Sequence, residues 1–251
     1  NTPSADFKRY NVRTNIDATL IDKYLTLSAD IAYRQEDRNT ISESTDFIFH
    51  NMYRNPQTDP GRFPDGKLGK VSLGYNPIGL VTDGGWKQDR KSILNTRFVL
   101  DLNVPGVEGL NVKGIFSFDK AYAKNKEWLT PVNFYIWNKI LGEYDSSTPN
   151  REGSDLKESF DSEQSYTFEA QASYNKRINN DHQLGALFVF TASEGNENDF
   201  WAARYKYQFS SINQLFAGPD KDKNNGGKAS ENGKIGTVFR LTYNYKEKYM
   251  L

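Results

Sequence analysis

The feature that most constrains this chain is a two-residue alternation between apolar and polar side chains. Between 94 and 104, Leu, Thr, Phe, Leu, Leu and Val alternate with Asn, Arg, Val, Asp and Asn. A period of two is the spacing of side chains on one face of a β-strand. The pattern recurs in seven segments, 10–20, 25–34, 94–104, 110–119, 166–174, 184–190 and 237–245, and begins an eighth at 249–251. The sequence therefore predicts an all-β fold of seven to eight antiparallel strands.

The connections between these segments are alternately short and long. Tight turns fall at 21–24, 105–109, 178–182 and 246–248, whereas 38–91, 122–163 and 194–234 are tens of residues long. This alternation puts every long loop at the same end of the sheet, which is typical of outer-membrane β-barrels. The predicted strands, about 10–14 residues each, suffice for a tilted crossing of the lipid hydrocarbon, which needs about 9–11.

The polar face and the sheet edges extend this prediction. The polar face carries charged residues suited to a water-filled or plugged lumen, namely Arg13, Asp17, Asp30, Arg34, Arg97, Asp101, Glu169 and Arg240. Seven strands and a stub leave two open edges, which hydrocarbon does not tolerate. We therefore expect 1–251 to be part of one larger transmembrane β-barrel domain that spans the lipid bilayer.

Composition excludes several other classes. The chain has no cysteine and only two histidines, His50 and His182, so thiol catalysis, thiolate zinc sites and multi-histidine metal centres are excluded. Its 32 basic and 32 acidic residues argue against a nucleic-acid partner. The longest apolar run, 184–190, is too short for a membrane-spanning helix. Catalytic and phosphate-binding motifs are absent, and we expect neither enzymatic activity nor a cofactor.

Several stretches resemble one known family, in that family's order. They are Tyr-Asn-Val-Arg-Thr-Asn-Ile-Asp at 10–17, Leu-Thr-Leu-Ser-Ala-Asp at 25–30, Glu-Asp-Arg-Asn at 36–39, Ile-Phe-His-Asn-Met-Tyr-Arg-Asn-Pro at 48–56, the turn at 105–110 and the last ten residues. Together they resemble the mid-barrel region of SusC/RagA-family TonB-linked outer-membrane transporters. The stretch 195–234 carries little of the resemblance.

The resemblance implies a longer chain with a barrel of about 22 strands, together with a plug domain and a TonB box that are not seen in 1–251. It also implies energised import of large nutrients, as oligosaccharides or peptides, through the TonB complex. A SusD-like surface lipoprotein would act as a lid. The location implied is the outer membrane of a Gram-negative bacterium of the Bacteroides group.

The predicted long loops are rich in aromatic residues. Rings stack on the apolar faces of sugars, so exposed aromatic side chains suit substrate capture. The predicted substrate- or partner-binding residues are Trp128, Tyr135, Trp137, Trp201 and Tyr205, and we expect at least one of the three tryptophans to contact substrate or lid. Packing of the loops onto one another is the simpler alternative for any single ring.

Two further features lie in the loops. Asp220, Asp222, Asn224 and Glu231 partly match a calcium-binding loop, but Asn225 stands where such loops need glycine, so a flexible polar loop is the alternative. A short helix is predicted over 42–53, with Ser42 or Ser44 as its N-cap.

Two other functions remain open from the sequence. A passive porin or adhesin barrel would have the same strands without a plug. A soluble all-β glycan-binding module would bury the apolar face in a protein core.

Overall fold

A computed structural model describes residues 5–179, 181–209, 211–246 and 248–250. Within this part of the chain, the main sheet has eight antiparallel strands, and it confirms the predicted all-β fold. Its strands, given in spatial order, are β1 (Asp6–Ile21), β2 (Leu25–Ile41), β3 (Gly85–Asn103), β4 (Leu110–Leu129), β7 (Ser154–Ile178), β8 (His182–Tyr207), β9 (Lys223–Tyr245) and β10 (Tyr249–Met250). A separate hairpin is formed by β5 (Tyr135–Asn138) and β6 (Glu143–Ser146).

The predicted short turns are confirmed where the structure describes them. At the first turn, the Tyr24 backbone N–H donates to the Ile21 carbonyl at 3.0 Å, and Lys23 has a positive φ of 65°. At the second, Gly109 has a φ of 88°, and an added Cβ would lie 2.0 Å from the Asn175 carbonyl oxygen. Glycine is thus required there. Asn180, Glu247 and Leu251, which belong to the last two turns and the last strand, lie outside the described residues.

One face of the sheet carries a band of uncharged residues that has the same length on each strand, here called the apolar band. It consists of every second residue of 25–33, 94–102, 110–118, 166–174, 184–192 and 235–243, five positions on each of six strands. Pairing partners in antiparallel strands share a face. One row of the band runs through Ala29, Phe98, Phe116, Phe168, Ala192 and Ile235. All six segments therefore face the same side.

The apolar band steps along the sheet. The end of the band nearest the short turns lies at Leu25 on β2, two residues closer to the turns at Tyr174 on β7, and two residues closer again at Tyr243 on β9. Such a stagger is what tilted strands of a barrel wall require. No second layer of described residues covers the apolar band, since Phe98 remains 38% and Phe239 66% exposed.

The strands are longer than predicted, and the long connections are correspondingly shorter. They occupy 42–84, 130–153 and 208–222, and β7 and β8 have 25 and 26 residues. The prediction ended the strands too early because the apolar–polar alternation stops between the band and the long connections. Both faces are mostly polar there, although backbone pairing continues. Glu158, Ser162 and Gln164 of β7, for example, stand on the same face as Phe168. Hydrophobic periodicity does not detect strands of this kind.

The first long connection contains two helices. The predicted helix is confirmed as α1 (Thr45–Arg54), with Ser44 as its N-cap accepting from the Phe47 backbone N–H at 3.2 Å. The second helix, α2 (Pro77–Thr82), begins after Asn76 and was not predicted. Within the described residues, no helix is both long and apolar enough to cross a membrane.

Candidate binding surfaces on the polar face and the loops

The face opposite the apolar band is polar, as predicted, and cross-strand ion pairs order it. Asp30 accepts from Arg13 of the neighbouring strand. The Lys113 ammonium lies 2.9 Å from the Asp101 carboxylate, which also accepts from the Asn111 side chain. Such pairs hold charged side chains against the strands, so this face suits contact with water or with polar ligands.

Toward the long loops, the polar face forms a cleft of about 250 Å³. Asp161 pairs with Asp199 across β7 and β8, and Glu163 pairs with Glu197. Like charges placed directly opposite each other destabilise a sheet. Lys91 and Lys228 line the same cleft and offset part of this repulsion. The described part of the chain has no group of three or more His, Asp or Glu side chains able to hold a metal ion.

Two of the long connections meet in an aromatic cluster centred on Tyr144, here called the Tyr144 cluster. The Tyr144 ring centroid lies 4.9 Å from that of Phe63, 6.5 Å from Tyr135 and 4.8 Å from Trp137. The Lys67 ammonium lies 4.5 Å from the Tyr144 ring centroid, close enough for a cation–π interaction. The structure therefore brings together two of the five predicted binding aromatics, Tyr135 and Trp137.

Lys67 also forms an ion pair with Asp65 next to this ring. The hydrogen bond from the Lys67 ammonium holds the pKa of Asp65 below its usual range, and the same bond raises the pKa of Lys67. Both groups thus stay charged near neutral pH. The Tyr144 cluster therefore combines apolar ring faces with a fixed cation.

Buried side chains and backbone pairing support the Tyr144 cluster. Leu68, Val132 and Phe134 form a small core from the same two connections. The Tyr135 backbone N–H donates to the Leu68 carbonyl, and its carbonyl accepts from the Lys70 N–H, both at 2.9 Å. The cluster is thus attached to a packed base, which limits the entropy lost when a ligand binds.

The β5–β6 hairpin presents apolar side chains to solvent. Trp137 is 43% exposed, and Ile140 and Leu141 at the turn are 94% and 67% exposed. Asn138 fixes this turn, because its side-chain oxygen accepts from the backbone N–H groups of both residues. Neighbouring exposed apolar side chains of this kind make the hairpin a candidate binding surface.

The expectation that Trp128 lies on a loop is wrong. Trp128 lies in β4 and is only 3% exposed, because Leu156, Tyr207, Trp86 and Leu215 pack around it. Leu215 belongs to the segment 211–222, which follows β8, and it packs against this cluster. Trp128 therefore has the packing role that the sequence left as the alternative.

Trp201 and Tyr205 also lie on a strand, β8, rather than on a loop. The Lys157 ammonium is 4.9 Å from the Trp201 ring centroid, and the ring covers the backbone of Gly226 on β9. Tyr205 remains more than one third exposed. Among the described residues, neither ring contacts the Tyr144 cluster.

The structure does not bring the candidate calcium ligands together. The Asp220 carboxylate lies 2.6 Å from the Arg204 guanidinium, whose hydrogen bond holds the pKa of Asp220 below its usual range. Asn224 pairs with Ala203, whereas Glu231 pairs with Asn196 seven positions further along β9, about 23 Å away. Asp220 thus anchors the segment 211–222 to β8.

Sequence reasoning missed Phe63, Lys67 and Tyr144. Tyr144 had a detectable signal, since two short β-prone segments flank Gly142, which takes a positive φ of 68°. That spacing is typical of a hairpin. Phe63 and Lys67 lie about 80 residues before Tyr144 in another connection, and their contact depends on tertiary packing.

Comparison with known proteins supports the fold. No protein-family model and no curated protein matches the chain. Solved structures do match. The RagAB peptide transporter matches with a TM-score of 0.69 at 17% identity, covering 97% of this chain and 27% of that chain. The RagAB peptide importer in its open-open state matches with a TM-score of 0.72 at 17% identity. The same importer in its closed-closed state matches with a TM-score of 0.68 at 14% identity. Each of these two matches covers 97% of this chain and 26% of that chain.

The chain thus spans about a quarter of the length of the solved chains that it matches. At these identities the likeness concerns the fold. The class that fold and comparison define is the antiparallel wall of a β-barrel. The similar structures are transporters by name, not enzymes.

Proposed function

We propose that this chain forms part of the barrel wall and external loops of a TonB-dependent outer-membrane importer of a Gram-negative bacterium. The observation that carries the proposal is the apolar band. Its nine-residue segments measure about 27 Å along the strand, or about 21 Å along the membrane normal for a tilt of about 40°. This is close to the lipid-facing height of about 25 Å found in such barrels.

The opposite face supports the same proposal. A soluble module would pack its apolar face into a core, but the described residues leave that face exposed while the polar face carries ordered ion pairs. Lipid outside and a hydrated or plugged lumen inside account for both faces. Further strands from the rest of a longer chain would pair with the outer strands of the sheet.

The fold likeness to RagAB favours an importer over a passive porin or adhesin. The cargo is a large nutrient, an oligopeptide or an oligosaccharide, and a SusD-like surface lipoprotein is the lid. The Tyr144 cluster suits either cargo because rings stack on sugar faces and pack against peptide side chains. The exposed β5–β6 hairpin is the segment of the loops best suited to contact the cargo or the lid.

The first experiment is to fractionate the native membranes and measure the intact mass of the protein. The proposal requires a species much larger than 28.7 kDa in the outer membrane. A soluble species of 28.7 kDa would overturn it.

The second experiment measures uptake of labelled oligopeptides and oligosaccharides by cells, with and without a protonophore. Energised import requires that the protonophore abolish uptake. The Tyr135→Ala/Trp137→Ala variant should reduce uptake by tenfold or more, since stacking contributes about 1 kcal/mol per ring and the hairpin loses its anchor. Trp201→Ala is the comparison, and loss of uptake in that variant alone would move the binding surface to β8.

A further inference from the structure

On β4, lysine residues directly follow the apolar band on the side of the long connections, the direction called above here. Above Phe118, the last position of the band on this strand, Lys120, Tyr122, Lys124 and Lys126 occupy successive positions of the same face. Lys120 and Lys124 are exposed. For strands tilted by about 40°, they stand about 5 Å and about 15 Å above the band along the normal.

A cleft of about 380 Å³ opens on this face beside the lysines. Five basic residues line it, Lys8, Arg38, Arg90, Lys124 and Lys126, against the three acidic residues Asp6, Asp37 and Asp89. Arg90 pairs with Asp37 at 2.6 Å and Lys126 with Glu158 at 3.0 Å. Within the described part of the chain, Lys120 and Lys124 form no ion pair, so their charges remain available to an anion.

Strands further along the sheet do not share this charge. On the same face, β8 carries Glu194 two residues beyond the band, and β9 carries Glu231 four residues beyond it. The basic surface therefore lies on the side of the sheet formed by β1 to β4. Its lower edge is continuous with the apolar band, and Tyr122 lies between the two lysines, the position of an interfacial aromatic residue.

We propose that Lys120 and Lys124 bind the phosphate groups of a phosphorylated lipid of the outer leaflet, whose acyl chains lie against the apolar band. This rests on the proposed membrane location. The continuity of charge and apolar surface selects a lipid, because one molecule then satisfies both. Long lysine side chains bend toward the interface while their stems cover apolar surface, which lets Lys124 reach the same headgroup layer.

The test uses the full-length protein in detergent micelles and a fluorescent bisphosphorylated glycolipid, lipid A, with its dephosphorylated form as the second ligand. The Lys120→Gln/Lys124→Gln variant should bind lipid A about 25-fold more weakly, since each basic residue at a membrane surface contributes a factor of about five. The matched control is Lys91→Gln/Lys228→Gln, which removes the same charge from the polar face and should stay within about twofold of the unsubstituted protein.

Equal affinity for both glycolipids, or an equal loss in the control variant, would overturn the proposal. Displacement of lipid A by millimolar inorganic phosphate would also overturn it, because the site would then bind free anions. Insertion into neutral phosphatidylcholine vesicles is measured in parallel. Failure of the unsubstituted protein to insert would refute the membrane location itself, whereas insertion without phosphate dependence would refute the lysine site alone.

Discussion

The rings of Trp128 and Tyr207 meet edge to face, with centroids 4.9 Å apart and an interplanar angle of 80°. This contact joins the ends of β4 and β8 next to the segment 211–222, and the Tyr207 hydroxyl donates to the Gln214 carbonyl at 2.9 Å. The pair therefore fixes the segment to the sheet. Its geometry is the favoured one for aromatic rings, because the edge of one ring faces the π-cloud of the other.

Replacing Trp128 with alanine should destabilise this end of the sheet by about 3–5 kcal/mol, the usual cost of removing a buried Trp side chain. The measurement is the thermal unfolding of the purified full-length protein in detergent. We expect a lower unfolding temperature and faster proteolysis of 208–222.

The control for Trp128→Ala is Trp137→Ala. Trp137 is 43% exposed, so the same deletion there removes far less buried surface. An equal drop in unfolding temperature for the two variants would contradict the packing role of Trp128.

Tyr207 lies outside the apolar band, and burial raises the pKa of its phenol. Its ionisation should therefore change the stability of the protein at alkaline pH. An unfolded tyrosine titrates near pH 10. The folded state thus keeps the phenol proton to a higher pH than the unfolded state does, and the free energy of unfolding falls as pH rises above about 10. Tyr207→Phe should remove part of this fall and, because it also loses the bond to Gln214, cost about 1 kcal/mol at neutral pH.

The measurement is the unfolding temperature at pH 8 and at pH 11 for each variant. Tyr205→Phe, two positions away and more exposed, is the control. If Tyr207→Phe and the unsubstituted protein lose the same number of degrees between the two pH values, the buried phenol is not a source of alkaline instability.

The strands could be predicted only where one face is apolar. The band from Leu94 to Leu102 shows clear alternation, and its pairing was confirmed. Above it, residues such as Gln164 and Glu194 make both faces polar, although backbone hydrogen bonds continue. Alternation reports burial against an apolar phase rather than strand pairing itself, so the strand ends were placed too early.

The candidate site was predictable only in part for a similar reason. Tyr135 and Trp137 stand out by aromatic density, but Lys67 reaches their cluster from another connection through the packing of Leu68 against Val132 and Phe134. Trp128 was misplaced because Lys124 and Lys126, just before it, interrupt the alternation of β4. One strand thus looked like a strand followed by a loop.

Asn76 holds the first long connection together by using both ends of its amide. It is fully buried, its side-chain nitrogen donates to the carbonyls of Gly61 and Gly69 at 2.6 and 2.8 Å, and its oxygen caps α2 by accepting from the Ile78 N–H at 3.0 Å. Asn76→Asp keeps the cap but removes both donors and places a carboxylate against two carbonyl oxygens. We expect a cost of at least about 3 kcal/mol, seen as faster tryptic cleavage after Lys67 and Lys70.

Ser44→Asp is the matched control, since it introduces a carboxylate at the N-cap of α1, where only an acceptor is needed. That variant should leave the cleavage rate unchanged. Rapid cleavage in both variants would show that negative charge in the connection, rather than the two lost donors of Asn76, loosens it.

Ala170 and Gln171 are neighbours in β7 that test which face of the sheet meets lipid. Ala170 is the middle of the five band positions on its strand and pairs with Gly114 and Phe190, whereas Gln171 faces the polar side and pairs with Lys113. Ala170→Arg should reduce the stability of the bilayer-inserted protein by about 2–4 kcal/mol, the cost of an arginine at the lipid midplane. Gln171→Arg should cost much less, because water hydrates it and Glu169 stands two positions away on the same face. Folding into vesicles, followed by the shift in electrophoretic mobility between heated and unheated samples, measures the folded fraction of each variant. The opposite order of stability would place lipid on the polar face and water on the apolar band, and equal stability would mean that neither face meets hydrocarbon.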